Sequence, residues 1–194
     1  MIEPRPRCWW SGAEAVNPDP VMVAYHDDEW GTPVHDDTQL FERLALESFQ
    51  AGLSWSTILR KRENFRAAFL GFDPPAVAAF GPADRERLMA DAGIVRNGAK
   101  IDATVDNAQG VLALAREFGS FDAYLVGFVP QPPATLPLDA VSGSLPATTP
   151  VSDALSKDLK RRGFRFVGST IVYSFMQSVG LVDDHIPGCF RYRG

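Results

Sequence analysis

Few residues in this 194-residue chain can staple a protein together: it has two cysteines and three histidines. Two cysteines in a chain without a secretory signal argue for a reducing compartment rather than a disulfide framework, so a cytoplasmic location is expected; the two could still pair, but so far apart in sequence a shared metal is the more natural reading. The opening MIEPRPRCWW carries prolines and charges where a secretory leader needs an apolar stretch. No apolar run approaches the ~20 residues of a bilayer span, which argues against a membrane partner. There is no internal repeat and no convincing strand-like alternation. A large positive charge is also missing. The net charge of −5 by itself does not favour nucleic acid, although local patches rather than the sum decide phosphate contacts.

What is present reads as one soluble helical domain over residues 1–194, with 45% apolar and 22% charged residues. Thr38–Ala51 has helical apolar spacing at Leu40, Phe41, Leu44, Ala45 and Phe49, with caps available at Asp36, Asp37 and Thr38. Ser54 caps a second helix carrying Trp55, Ile58, Leu59 and Phe65. Asp73–Pro74 opens a short helix to about Phe80, and Pro82 opens another that ends by Gly93. Asn97–Phe118 is a long amphipathic run, and Ser120 starts a short helix to about Phe128. Val129–Pro150, rich in Pro, Thr and Ser, reads as a loop.

Ser152 then caps a helix to Arg162. Gly163 stops it, Phe164–Val167 form a tight turn, and Gly168 opens a helix with Ile171, Phe175 and Met176. Such a helix–hairpin–helix, about 152–179, leaves backbone N–H groups free at the second helix start, where Ser169 and Thr170 add hydroxyls. Two basic clusters, Arg60/Lys61/Arg62/Arg66 and Lys157/Lys160/Arg161/Arg162/Arg165, are candidate phosphate contacts or solvated helix faces.

Four of the five Cys and His residues sit near the two ends: Cys8, His26, His185 and Cys189. Thiolate and imidazole are the ligands a tetrahedral zinc takes. The competing reading is two buried cysteines and two ordinary histidines. Three of the four tryptophans, Trp9, Trp10 and Trp30, come early, and Trp55 follows. Glu47 falls in the apolar run LALESFQAGLSW. A carboxylate there is either salt-bridged or costly and functional. With aromatic neighbours it suits a flat cation that donates hydrogen bonds, such as a positively charged nucleobase.

The segments CWW, YHDDEWG, LFERLALESFQAGLSWSTILRKRENFR, DAGIVRNGAKI, SDALSKDLKRRGFRFVGSTIVYSFMQSVGLVDDH and GC, in this order over nearly the whole chain, resemble the bacterial 3-methyladenine DNA glycosylase I (Tag) family. The resemblance implies an all-α helix-hairpin-helix glycosylase fold with its ends joined by one structural Zn2+ on Cys8, His26, His185 and Cys189. It implies excision of N3-methyladenine from double-stranded alkylated DNA by a monofunctional monomer acting at the nucleoid. The alternative is a noncatalytic binder of alkylated DNA on the same fold. Glu47 would be the catalytic and base-recognising carboxylate, and Trp55 would stack on the flipped base. Trp10, Met22, Tyr25 and Trp30 would complete the pocket. Gly163, Phe164, Val167, Gly168, Ser169 and Thr170 would hold the DNA backbone. Residues 50–53, with Gly52 and Leu53, would approach the gap left by the base. Met22 stands where the family commonly has tyrosine, and Ser11–Asp19 looks longer than usual, leaving Trp9 and Trp10 both open as the pocket residue. No lysine is placed as a Schiff-base nucleophile. Asp183 and Asp184 follow the hairpin but are not assigned as a base.

Overall fold

The computed structural model describes residues 5–130, 133–136 and 145–193. Among these every regular element is a helix, and the one strand-like feature is an isolated bridge between Thr135 and Asp183. Nine α-helices follow in order: α1 (Pro20–Asp28), α2 (Asp37–Gln50), α3 (Trp55–Ala68), α4 (Pro74–Ala78), α5 (Pro82–Ala90), α6 (Gly98–Phe118), α7 (Phe121–Val126), α8 (Pro150–Arg161) and α9 (Ser169–Ser178).

Side-chain caps set most of the starts. Asp36 accepts from Gln39 N–H, Ser54 from Thr57, Asp73 from Ala76, Asn97 from Lys100 and Ser120 from Ala123. Each cap satisfies one of the donors a helix start leaves free and contributes about 1 kcal/mol. α8 begins earlier than the Ser152 expectation. Thr149 is the cap, Pro150 takes the first turn, and Ser152 closes a reciprocal capping box from inside the helix. Pro150 is therefore helical and not the end of a loop.

α1 has no counterpart in the sequence reading. It is nine residues long, and its apolar residues form no continuous stripe. Its signature is local: Asp19 accepts from Val21 N–H, with Pro20 in the first turn.

α2 is the central helix. It packs on α3, α6, α7 and α9, and Leu40, Phe41, Glu42, Leu44, Ala45, Leu46, Glu47, Ser48 and Phe49 are all buried. A helix enclosed on nearly every side must also enclose whatever polar residues it carries. Around it Phe65, Phe69 and Phe72 stack ring on ring and Phe49 meets Phe65 at a tilt, all with no exposure. Burying a side chain of that size contributes roughly 1.5–3 kcal/mol, so this cluster anchors α2 and α3 and fixes the junction between them.

Candidate base pocket and Cys/His cluster

A cavity of about 480 Å³ opens where α1, α2, α3 and α9 meet the N-terminal segment. Met22 and Tyr25 enter it from one face of α1, Glu47 from α2 and Trp55 from the first turn of α3. Trp10 and Trp30 complete an aromatic corner, with ring centroids 4.8 Å apart, and Tyr25 lies 5.4 Å from Trp55. All six expected pocket residues thus meet in one place. Trp9 also lines the cavity, but more than half exposed, whereas Trp10 is the partly buried one, set edge-on in the corner.

Four further lining residues are Gln50, Leu145, Ser174 and Gln177. Gln50 belongs to the 50–53 segment already singled out. Ser174 and Gln177 are three apart on α9, a same-face spacing legible only once that face is known to border a cavity.

Glu47 is 5% exposed, and among the described residues no hydrogen bond or ion pair reaches its carboxylate. Burial pushes its pKa from 4.5 up to about 8, opposed by the Arg43 guanidinium one turn earlier on α2. With its pKa raised to about 8, Glu47 favours the protonated acid at neutral pH when no added cation faces it. The indole N–H groups of Trp10 and Trp55 are likewise buried and unpartnered among the described residues. Buried polar groups are nearly always paired, so unpaired groups lining one cavity mark a place for a ligand's donors and acceptors.

Behind this wall, Cys8, His26, His185 and Cys189 converge, with all four donor atoms within 4.8 Å of one another and all four residues buried. Cys8 Sγ lies 3.5 Å from His185 Nδ1, Cys189 Sγ 3.6 Å from the same atom, and Cys189 Sγ 3.4 Å from His26 Nε2. A tetrahedral ion with Zn–S near 2.3 Å and Zn–N near 2.0 Å has S–N edges of about 3.5 Å, so the residues fit a metal. The outer ring nitrogens agree. His26 Nδ1 is 2.8 Å from Asp27, itself gripped by Arg7, and His185 Nε2 is 3.1 Å from the Trp30 carbonyl. Each acceptor fixes the tautomer that turns the other nitrogen's lone pair to the centre. Backbone N–H groups of Ile186 and Arg191 point at the two sulfurs. The thiols perturb each other in opposite senses: their mutual hydrogen bond raises Cys8 and lowers Cys189. A divalent cation would let both ionise. The cluster also braces the pocket, because the His185 ring meets Trp30 at 4.7 Å and His26 meets Trp10 at 5.2 Å.

The third expected site is the α8–α9 hairpin. Gly163 takes φ +92°, a left-handed turn that a side chain would strain. The next three carbonyls relevant to its shape point inward: Asn107 Nδ2 donates to Arg165 O, Ser48 Oγ to Phe166 O and Ser156 Oγ to Val167 O. No side chain caps α9 at Gly168, so its first N–H groups have no such acceptor. Phe164 and Val167 are buried in the main core. Their side chains face away from solvent, and Gly163, Gly168, Ser169 and Thr170 form the accessible edge.

The basic clusters are mostly spent within the fold. Arg162 pairs with Glu117 and Asp158, Arg161 with Asp158, Arg165 with Asp106, Arg60 with Asp19, Arg62 with Glu29 and Arg66 with Glu42. Lys61 donates to the carbonyls of Ala92 and Gly93. Lys157 and Lys160 are exposed and make no ion pair among the described residues. Asp184 is tied to Tyr173 and Gln177, and Asp183 accepts from the His185 N–H. Neither aspartate lines the cavity.

Comparison with known proteins gives the family. The family model for methyladenine glycosylase matches residues 15–192. DNA-3-methyladenine glycosylase 1 of Escherichia coli (strain K12) is 50% identical over 188 residues, which is 97% of each chain. A crystal structure of 3-methyladenine DNA glycosylase I superposes with a TM-score of 0.88 at 48% identity, covering 97% of this chain and 100% of that one. The Staphylococcus aureus enzyme, whose structure addresses 3-methyladenine recognition, gives 0.87 at 40% identity over 92% and 94% of the two chains. With a family model spanning almost all of it and relatives this similar along their full length, the chain belongs to the methyladenine glycosylase family.

Proposed function

We propose that this chain is a DNA repair enzyme that excises N3-methyladenine from alkylated double-stranded DNA by hydrolysing the N-glycosidic bond, and that it works as a single-domain cytoplasmic monomer on the nucleoid. The observation that carries the reading is the unpartnered carboxylate of Glu47 in a cavity walled by Trp10, Tyr25, Trp30 and Trp55. Methylation at N3 makes the base cationic. Aromatic faces attract it, and Glu47, ionised on its arrival, accepts hydrogen bonds from the adenine edge. Unmodified adenine brings no charge to draw the proton from Glu47.

The chemistry asks little of an acid. As the bond from the sugar breaks, its electron pair neutralises the departing base. Water adds to the sugar carbon and loses a proton to solvent. The protein's work is to take the nucleotide out of the stack, which costs a few kcal/mol, and to hold it against Trp55. No lysine is among the residues lining the cavity, which supports hydrolysis without a covalent amine intermediate. In this reading Gln50, Gly52 and Leu53 fill the gap in the duplex, and the α8–α9 hairpin, a helix-hairpin-helix unit, binds a backbone phosphate at the α9 start.

Cys8, His26, His185 and Cys189 would hold one Zn2+. Four protein ligands leave no open position, so the ion's contribution is structural. Elemental analysis of protein purified without added metal should find about one zinc per chain. Finding none, with melting unaffected by a chelator, would remove the metal from this reading.

The decisive experiment is base release from methylated duplex DNA with the products identified. Release of 3-methyladenine that disappears in Glu47→Gln supports the function. DNA binding without release by the wild type would leave the noncatalytic binder.

A further inference from the structure

Two buried polar side chains on α6, outside both the cavity and the Cys/His cluster, bind the backbone of other segments. Lys100 is 7% exposed, and its Nζ donates to Phe49 O at 2.9 Å and Ala51 O at 2.6 Å. Those carbonyls end α2, immediately before Gly52 and Leu53. Asn107 is 1% exposed; its Nδ2 donates to Arg165 O at 3.0 Å, and its Oδ1 accepts from Arg165 N–H at 2.8 Å. Arg165 lies in the middle of the α8–α9 hairpin. The two residues are two helical turns apart on one face, about 10.5 Å along the axis.

The same helix meets the hairpin again at Gly110. A Cβ there would lie 2.4 Å from the Phe164 ring, so only glycine lets the hairpin seat this closely. An ammonium buried beneath a helix end is an unusual choice, since an apolar chain would fill the same volume without desolvating a charge. Its use at Lys100 is to bind two carbonyls that point out of a helix terminus.

We propose that α6 fixes the spacing between the segment that enters the duplex (residues 50–53) and the hairpin that binds its backbone, with Lys100 and Asn107 as positioning residues. The inference rests on the proposed DNA-binding reading of those segments. Leu53, 40% exposed at the junction, has to meet the duplex at a set distance from the phosphate held at the start of α9. Displacements near 1 Å at such a site can lower a rate by about 100-fold. Neither side chain lines the base cavity; of the segment they hold only Gln50, between the two carbonyls bound by Lys100, does, so binding of the base alone should sense their loss far less than excision from the duplex.

The test uses the full chain with Lys100→Met, Leu53→Ala and the double variant, reading excision from methylated duplex, titration of free 3-methyladenine and a thermal melt. Lys100→Met should lower excision kcat/KM by about tenfold or more, with free-base affinity falling far less. In the Leu53→Ala background it should have little further effect, because both act through one segment. Asn107→Asp, which keeps the acceptor for Arg165 N–H and removes the donor, should split DNA from free base in the same way, and it carries the test if Lys100→Met melts too low to assay. Additive effects of Lys100→Met and Leu53→Ala, or free-base affinity falling in step with excision, would overturn the proposal. Full excision by Leu53→Ala with impaired excision by Lys100→Met would refute the DNA reading of the junction, and the spacing proposal with it.

Discussion

Glu42 and Glu47 stand five residues apart on α2, buried to nearly the same degree at 6% and 5% exposure. Five residues turn a helix by about 140° beyond a full turn, so the two carboxylates face different neighbours. Glu42 meets Arg66, whose Nε lies 2.9 and 3.1 Å from its two oxygens. Glu47 meets tryptophans, a tyrosine and a cavity. Burial alone therefore says nothing about function. The paired carboxylate ties α2 to α3, and the other, without a partner among the described residues, faces the cavity.

The largest effect that would sharpen this contrast is on Glu42. Glu42→Ala leaves Arg66 without its buried partner, and breaking such a pair costs about 3–5 kcal/mol, reduced here because the Arg66 side chain is 39% exposed and also pairs with Glu63. Denaturant melts should show the loss, with affinity for 3-methyladenine retained in protein that is still folded. Affinity lost together with stability would mean the two carboxylates share one function.

Glu47→Gln should do the reverse. A hydrogen bond to a charged group contributes roughly 1.5–3 kcal/mol, so titration should show 3-methyladenine affinity lower by about one to two orders of magnitude while the chain folds normally. Unchanged affinity would make Glu47 a structural carboxylate.

Its pH dependence follows from the raised pKa. The unfolded chain ionises Glu47 near 4.5, but the folded chain keeps the proton to about 8. This group's contribution to stability therefore falls as pH rises from 4.5 to about 8 and is level above. Glu47→Gln should raise the melting temperature relative to wild type at pH 8 more than at pH 5. Binding runs the other way. Affinity for a permanently cationic, N9-capped 3-methyladenine should rise with pH until about 8 and then level. A flat profile across that range would contradict a proton-linked pocket.

The smallest expected effect is at Arg43, which lies over the Tyr25 ring, pairs with Glu29 and is the cation opposing the rise at Glu47. Arg43→Met should move the midpoint of that binding profile to higher pH and weaken binding at pH 7 by less than tenfold, with affinity recovered in alkali. Loss at every pH would assign Arg43 to packing.

Much of the local structure was legible in the sequence because it is made by neighbours. Asp36, Ser54, Asp73, Asn97 and Ser120 cap helices within three residues of themselves, and Gly163 marks its own turn. α1 was missed because its nine residues serve two sites instead of one apolar face: Tyr25 goes to the cavity and the adjacent His26 to the Cys/His cluster. The basic runs were legible as charge but not as function, since Arg162 and Arg165 find acids 45 and 59 residues away.

The sequence by itself determined the helical class, most helix starts, the family resemblance and the residue types available for chemistry. Only the tertiary structure decided which of two buried glutamates would be left without a partner among the described residues. It also decided which cations the fold would consume, and that Lys100 and Asn107 would bind the backbone of two distant segments. The reason is that a cap or a turn is completed by residues already adjacent in the chain, whereas a counter-ion or an empty space beside a carboxylate exists only after helices far apart in sequence have packed.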